Sequence, residues 1–159
     1  MTRKEQYNQL ILQIAGLIKD ETNLVGILAN VSAALHDTFP ERFFWVGFYL
    51  QENGNMLRLG PFQGSVACYV IPFGKGVCGK AWEEGRTLIV PDVEKFPGHI
   101  ACSSLSRSEI VVPMYDDSHT FRGVLDIDST QLNDFNEDDK EGLERIIELL
   151  MAETQDLFQ

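Results

Sequence analysis

Residues 43–50 have the sequence FFWVGFYL, an aromatic run rich in residues that favour β-structure. The next residues, Glu52-Asn53-Gly54-Asn55, contain the Asn-Gly pair that is typical of a tight hairpin turn. We therefore predict a strand over 43–50 that pairs through this turn with a strand over 56–59. Further strands are predicted over 67–71, 87–90, 110–114 and 121–127, and the turn residues 115–119 (YDDSH) predict a hairpin between the last two.

Apolar residues recur at helical spacing at both ends of the chain, outside the predicted strands. In the N-terminal part they are Leu10, Ile11, Ile14, Leu17 and Ile18, then Leu24, Ile27, Leu28, Val31 and Leu35 before Pro40. In the C-terminal part they are Leu143, Ile146, Ile147, Leu150 and Met151. Thr2 with Glu5 predicts a capping box for the first helix, and Asn136 predicts the cap of the last. A short helix bounded by glycines is predicted over 77–84.

This order of elements predicts one α+β domain over residues 1–159. We expect a central antiparallel sheet with the N- and C-terminal helices packed on one face. The loops that carry the cysteines are left to the other face, where we expect the functional site.

The net charge of −11, from 24 acidic and 13 basic residues, argues against phosphate-rich partners. Nucleic acid and anionic membrane surfaces would be repelled, and no apolar run approaches the ~20 residues of a membrane helix. The first ten residues, MTRKEQYNQL, lack the apolar segment of a secretion signal. We therefore expect a cytoplasmic protein, in a compartment where cysteines flanked by turn residues are more often redox-active or metal-binding than structural.

The three cysteines at 68, 78 and 102 are the first candidates for chemistry. Cys102 lies in a loop, FPGHIACSS (96–104), where His99 is available to stabilise a thiolate. Cys78 lies at the start of the predicted short helix, where backbone N–H groups would lower the pKa of its thiol. Cys68 begins a strand and is the least informative of the three. Each is also consistent with a small buried side chain, which free cysteine often is.

Metal binding by the cysteines is not expected. Nine residues separate the first two cysteines and 23 separate the second from the third, whereas zinc sites favour two to four. We therefore predict no metal site, although His99 is a possible fourth ligand. Redox pairing of two thiols needs only that they come close in space.

Three carboxylates form a second candidate constellation. Asp126 and Asp128 are two residues apart at the end of a predicted strand, so their side chains point to one face. Glu109 begins the preceding strand, and the hairpin would bring all three into one pocket. Crowded acids cannot all ionise, so one would keep a proton and act as an acid, while the others bind an ammonium group. The alternative is a solvated strand end, which is the commoner place for acidic residues.

Trp45 and Tyr49 are four residues apart on one strand and therefore share a face. Gly47 lies between them and would leave room above the sheet. Such a pair suits the wall of a pocket for an apolar or sulfur-bearing ligand. Taken by themselves, the two side chains are as easily explained by filling the core.

Six segments of the chain together resemble a known family. They are WVGFYL (45–50), LGPFQG (59–64), GVCG (76–79), FPGHIAC (96–102), SRSEIVVP (106–113) and GVLDIDS (123–129). The chain resembles the free methionine-(R)-sulfoxide reductases, which are cytosolic GAF-domain enzymes, over nearly its whole length. The resemblance implies a GAF fold and reduction of free L-methionine (R)-S-oxide, with thioredoxin as electron donor and no cofactor. It also implies that a homodimer is possible.

The resemblance also implies roles for the cysteines. Cys102 is the expected attacking thiol and Cys68 its disulfide partner, with Cys78 as the competing candidate. The family commonly has Asp directly after the residue that corresponds to Cys102, whereas this chain has Ser103 at that position. The implied substrate-binding residues are Trp45, Tyr49, Glu109, Asp126 and Asp128. Two other functions fit the cysteines or the fold: a non-catalytic GAF sensor of a small ligand, and a thiol redox switch.

Overall fold

Six antiparallel strands form one sheet in the computed structural model, which describes residues 1–158. The strands are β1 (Trp45–Glu52), β2 (Met56–Gln63), β3 (Val70–Pro72), β4 (Leu88–Val90), β5 (Ser108–Tyr115) and β6 (Phe121–Ser129). Their order across the sheet is β3-β2-β1-β6-β5-β4, which makes β1 and β6 central. Every predicted strand is present, although β2 continues to residue 63 and β3 begins only at residue 70. Both predicted hairpins, β1–β2 and β5–β6, are confirmed.

The helices also follow the predicted pattern. They are α1 (Arg3–Ile18), α2 (Leu24–Thr38), α3 (Gly76–Glu84) and α4 (Glu137–Thr154), with 3-10 turns at Val93–Lys95 and Gln155–Leu157. The capping box of Thr2 and Glu5 is confirmed, and Asn136 caps α4 with its side chain. Over residues 1–158, none of the helices combines the length and the apolarity needed to cross a bilayer.

Three helices cover one face of the sheet. The core there joins apolar residues of α1, α2 and α4 to alternate residues of the strands, among them Val46, Phe48, Ile110, Leu125 and Ile127. The expected α+β arrangement, with terminal helices on one face, is therefore confirmed. Leu17 is an exception to the predicted stripe of α1, because it is 41% exposed. The buried stripe of that helix is Tyr7, Leu10, Ile14 and Ile18, and Leu17 lies to one side of it.

The opposite face of the sheet carries a second, smaller apolar cluster. Trp45, Tyr49, Val111 and Val124 of the strands pack there against Val77, Cys78 and Ala81 of α3. Helix α3 lies close to the sheet edge because Gly79 has no side chain: a Cβ atom there would stand 2.6 Å from the Pro72 carbonyl oxygen. This face therefore consists of one short helix together with the cysteine-bearing loops.

Candidate active site

The register of three neighbouring strands brings the predicted acids together. Asp128 of β6 is paired with Trp45 of β1 on one side and with Glu109 of β5 on the other. Asp126 lies two residues before Asp128 on β6 and is paired with Gly47 of β1. Side chains alternate across a strand, so both aspartates point away from the helical core that contains their neighbours Leu125 and Ile127. The predicted common face of the two aspartates is confirmed.

These side chains line a cavity of about 40 Å³ between the sheet, α3 and the loops. Among the predicted site residues its lining includes Trp45, Tyr49, Cys78, Cys102, Glu109, Asp126 and Asp128. Cys68 is not part of the lining, but it is bonded to Cys102. The structure also adds residues that the sequence did not single out as ligand contacts: Val66, Ala67, Ile71, Ile100, Ser103 and Ser106.

Cys68 and Cys102 form a disulfide with their Cα atoms 5.5 Å apart. The bond joins the segment before β3 to the loop before β5, and each sulfur comes from a half-buried residue. The pairing implied by the resemblance is confirmed. Cys78 remains as a free, buried thiol.

The three carboxyl groups share an unusual electrostatic environment. Burial raises the pKa of Glu109 well above its ordinary value, and the charge of Asp128 adds to the effect. Burial likewise raises the pKa of Asp126, with a further contribution from Glu109. The pKa of Asp128 is raised by burial and by Asp126. The alternative of a solvated strand end is therefore wrong, since Glu109 and Asp126 are each only 5% exposed.

The thiol of Cys78 lies against these acids. Burial raises its pKa well above the ordinary value, and Asp126 and Glu109 raise it further. The expectation that the start of the helix lowers this pKa is wrong. The sulfur points into an acidic, water-poor pocket, and the effect of that pocket exceeds that of the backbone N–H groups. One donor atom from each of Cys78, Glu109 and Asp126 lies within 4.8 Å of the other two.

Comparison with known proteins agrees with this architecture. The GAF domain family model matches residues 21–152. GAF domain-containing protein A of Dictyostelium discoideum is 56% identical over 149 residues, which cover 94% of this chain and 92% of that protein. The free methionine-R-sulfoxide reductase of Saccharomyces cerevisiae is 43% identical over 155 residues, which cover 94% and 86% of the two chains.

A solved structure of a free methionine-R-sulfoxide reductase has the same fold as this chain. It is the free methionine-R-sulfoxide reductase of Neisseria meningitidis in complex with its substrate, with a TM-score of 0.93 and 46% sequence identity. The match covers 98% of this chain and 92% of that one. The chain belongs to the free methionine-R-sulfoxide reductase family, within the GAF domains. The resemblance inferred from the six sequence segments is thus confirmed.

In this family member the aromatic pair belongs both to the core and to the cavity wall. Trp45 and Tyr49 stack with their ring centroids 5.9 Å apart. The indole Nε1 of Trp45 donates a hydrogen bond to the carbonyl oxygen of Ser65, and the hydroxyl of Tyr49 donates one to the carbonyl oxygen of Cys68, each at 3.0 Å. The two rings of β1 therefore hold in place the segment that carries one half of the disulfide.

The space at Gly47 has a different use from the one predicted. A Cβ atom at this position would lie 2.2 Å from the Cβ of Phe62, its partner on β2. The Phe62 ring stacks on Trp45 with centroids 5.1 Å apart. The glycine therefore admits the neighbouring strand and its aromatic side chain, and it leaves no open room above the sheet.

His99 lines the same cavity as Cys102 and lies close to Glu109. Its Nε2 lies 3.7 Å from Glu109 Oε1, which is beyond hydrogen-bonding distance. Burial lowers the pKa of His99, which favours the neutral imidazole. This reductase-family cavity thus has an imidazole beside its acids, and burial favours the neutral form of that ring.

Proposed function

We propose that this protein is an oxidoreductase that converts free L-methionine (R)-S-oxide to L-methionine. One observation carries the proposal: a single cavity brings the Cys102 side of a disulfide, three acids and an aromatic wall together. The free methionine-R-sulfoxide reductases of Saccharomyces cerevisiae and Escherichia coli, which are 42–43% identical to this chain, support the same reaction.

The chemistry needs an attacking sulfur and a proton. In the reduced protein the Cys102 thiolate attacks the sulfoxide sulfur, and a proton transferred to the oxygen allows the S–O bond to break. The oxygen leaves as water, and a water molecule then attacks the Cys102 sulfur and breaks the new S–S bond. Methionine leaves with its sulfur reduced by two electrons, and Cys102 becomes a sulfenic acid. Cys78 is the weaker candidate for this step, because its raised thiol pKa keeps it protonated at neutral pH.

The acids supply the proton and select the substrate. Burial raises the pKa of Glu109 and Asp126, which favours the protonated carboxyl group that an acid catalyst requires. The negative charge that remains among Glu109, Asp126 and Asp128 pairs with the substrate's α-ammonium group. Peptide-bound methionine sulfoxide has an amide at that position, so it should bind poorly. Trp45 and Tyr49 supply the apolar surface against the methyl sulfur group.

Recovery of the enzyme uses the second cysteine. The Cys68 thiol attacks the sulfenic sulfur of Cys102, water leaves, and the disulfide seen in the structure forms. A dithiol reductant of the thioredoxin type then reduces the disulfide by exchange and becomes a disulfide itself. This cycle requires no bound cofactor.

The epimers of the substrate provide the direct test. The protein is incubated with thioredoxin, thioredoxin reductase and NADPH, and NADPH consumption is followed with each epimer of free methionine sulfoxide. We expect turnover of the R epimer alone and little turnover of an N-acetylated substrate, which lacks the ammonium charge. Equal inactivity with both free epimers would contradict the proposal and would favour a GAF sensor or a thiol switch.

A further inference from the structure

The acidic end of the cavity contains a donor set suited to a metal ion. One donor atom each from Cys78, Glu109 and Asp126 lies within 4.8 Å of the other two. They come from α3, β5 and β6 respectively, and all three residues are buried. The spacing of the cysteines along the chain argues only against sites built from several cysteines. It says nothing of a site with one thiolate and two carboxylates brought together by the fold.

Asp126 provides an independent sign that a cation belongs here. Its Oδ1 atom is buried and has no hydrogen-bond partner among the described residues 1–158. Buried polar atoms are almost always paired, so this oxygen needs either a proton shared with the adjoining Glu109 carboxyl group or a cation from outside the chain. During turnover the substrate's ammonium group would pair with Asp126 Oδ1. When no substrate is bound, another cation can occupy that position.

We propose that Cys78, Glu109 and Asp126 bind a thiophilic divalent cation, such as Zn²⁺ or Cd²⁺, at the position of the substrate's ammonium group. Tetrahedral zinc accepts thiolate, carboxylate and imidazole ligands whose donor atoms stand roughly 3.3–3.8 Å apart. The donor atoms of the cluster, all within 4.8 Å of one another, would have to approach one another to reach that spacing. His99, with its Nε2 at 3.7 Å from Glu109 Oε1, is the neighbouring fourth donor.

The charge of the cluster favours a dication over a monocation. When a metal binds, the ligands release their protons, and one thiolate with two carboxylates then carries a charge of about −3. A divalent ion neutralises most of that charge inside a buried pocket, whereas an ammonium group neutralises one unit. One consequence rests on the proposed function: the ion would compete with free methionine sulfoxide and raise its apparent KM.

The oxidised protein gives a clean test of binding. With Cys68 and Cys102 joined in the disulfide, Cys78 is the one thiol left among the three cysteines. The disulfide-bonded protein is titrated with Cd²⁺ at pH 8, and the ultraviolet charge-transfer band of the cadmium–thiolate bond is recorded. We expect about one Cd²⁺ per chain, displacement of the band by Zn²⁺, and no band in Cys78→Ser.

Carboxylate variants decide whether the cluster, and not the thiol alone, binds the ion. Asp126→Asn and Glu109→Gln should each weaken Cd²⁺ binding roughly tenfold or more. Asp128→Asn is the matched comparison: it removes the same charge from the same strand and cavity but lies outside the cluster, so we expect a weakening clearly smaller than that of either ligand variant. Circular dichroism checks the fold of each variant, and Glu109→Gln suffices if Asp126→Asn does not fold.

Two results would overturn the inference: no band in the folded, oxidised protein, or equal weakening by Asp126→Asn and Asp128→Asn. The titration involves no turnover. Its failure is therefore distinct from a failure of the reductase assay.

Discussion

At the scale of single residues, burial gives the same side chain opposite properties in different places. Asp116, half-buried in the turn before β6, accepts a hydrogen bond from the backbone of Thr120, which lowers the pKa of its carboxyl group. Asp126 is buried beside Glu109, and the pKa of its carboxyl group is raised. The first is a stable anion in a turn, and the second is suited to holding a proton or receiving a cation.

The raised carboxyl pKa predicts a pH-dependent stability. The unfolded protein loses the Glu109 proton near pH 4.5, while the folded protein keeps it to higher pH. Stability is therefore lost as the pH rises from about 4.5 through the raised pKa. Glu109→Gln should gain stability relative to the parent protein over that window, by up to about 1.4 kcal/mol per pH unit. Urea unfolding at pH 5 and pH 8 measures the difference.

Glu94→Gln is the control for this comparison, because Glu94 is an exposed residue of the 3-10 turn. Its effect should be the same at both pH values. A Glu109→Gln effect that does not change with pH would show that the carboxyl group titrates alike in both states, and the acid role would then pass to another residue.

We expect substitutions of the individual cysteines to block different steps of the reaction. With the reduced protein and no thioredoxin, Cys102→Ser should form no methionine, because the attacking sulfur is gone. Cys68→Ser should form about one equivalent per chain and then stop, since no disulfide can close. Product is measured by chromatography after a single turnover. A full burst in Cys102→Ser together with its loss in Cys78→Ser would reverse the assignment of the nucleophile.

At the scale of elements, β1 positions the segment that carries Cys68. Two aromatic side chains of this strand donate hydrogen bonds to carbonyl oxygens of that segment, at Ser65 and Cys68. The loop with Cys102 has no such anchor from β1 and is joined to the segment by the disulfide. We infer that closure of the disulfide depends on how well β1 holds the Cys68 side.

Tyr49→Phe tests this inference because it removes the hydroxyl and keeps the ring. We expect the first turnover to change little, while disulfide closure slows by about fivefold, the equivalent of one hydrogen bond of ~1 kcal/mol. Trapping of the Cys102 sulfenic acid with dimedone should increase accordingly. Equal slowing of both steps would indicate that the hydroxyl acts on the substrate and not on the segment.

At the scale of the whole molecule, one buried carboxylate forms hydrogen bonds with segments that are far apart in the sequence. Asp139 of α4 is fully buried and accepts hydrogen bonds from Tyr7 at 2.7 Å, Arg3 at 2.8 Å and Arg42 at 3.1 Å. It also closes the capping box with Asn136. The network joins α1, α4 and the segment that leads into β1, all on the face opposite the cavity.

Asp139→Asn should therefore destabilise the protein by roughly 1.5–3 kcal/mol, because it removes the charged partner of Arg3 and Arg42, while Arg42 keeps its ion pair with Asp134. Glu137→Gln, an exposed change in the same helical turn, should stay within about 0.5 kcal/mol. Urea unfolding of the two variants gives both values. A loss below about 1 kcal/mol for Asp139→Asn would show that the network adds little to stability.

The local sequence was sufficient for most of the elements and for the membership of the site. Alternation along 123–129 predicted the common face of Asp126 and Asp128, and the caps at Thr2 and Asn136 predicted the starts of two helices. These features depend on neighbours within about four residues, which the sequence shows directly. The assignment of the whole of 1–159 to one domain, a possible dimer and the roles of the site residues stay predictions.

Tertiary structure alone decided the chemistry at several positions. Gly47 admits Phe62 from the next strand, and Cys78 has a raised thiol pKa because β5 and β6 place acids beside it. Asp139, in the first turn of α4, is fully buried and forms ion pairs with Arg3 and Arg42, which come from distant parts of the chain. Burial and the approach of distant charges arise only when separate elements pack together. For that reason the sequence determined which side chains could share one face of the sheet, and the packing determined that the pKa values of Glu109, Asp126 and Cys78 are raised.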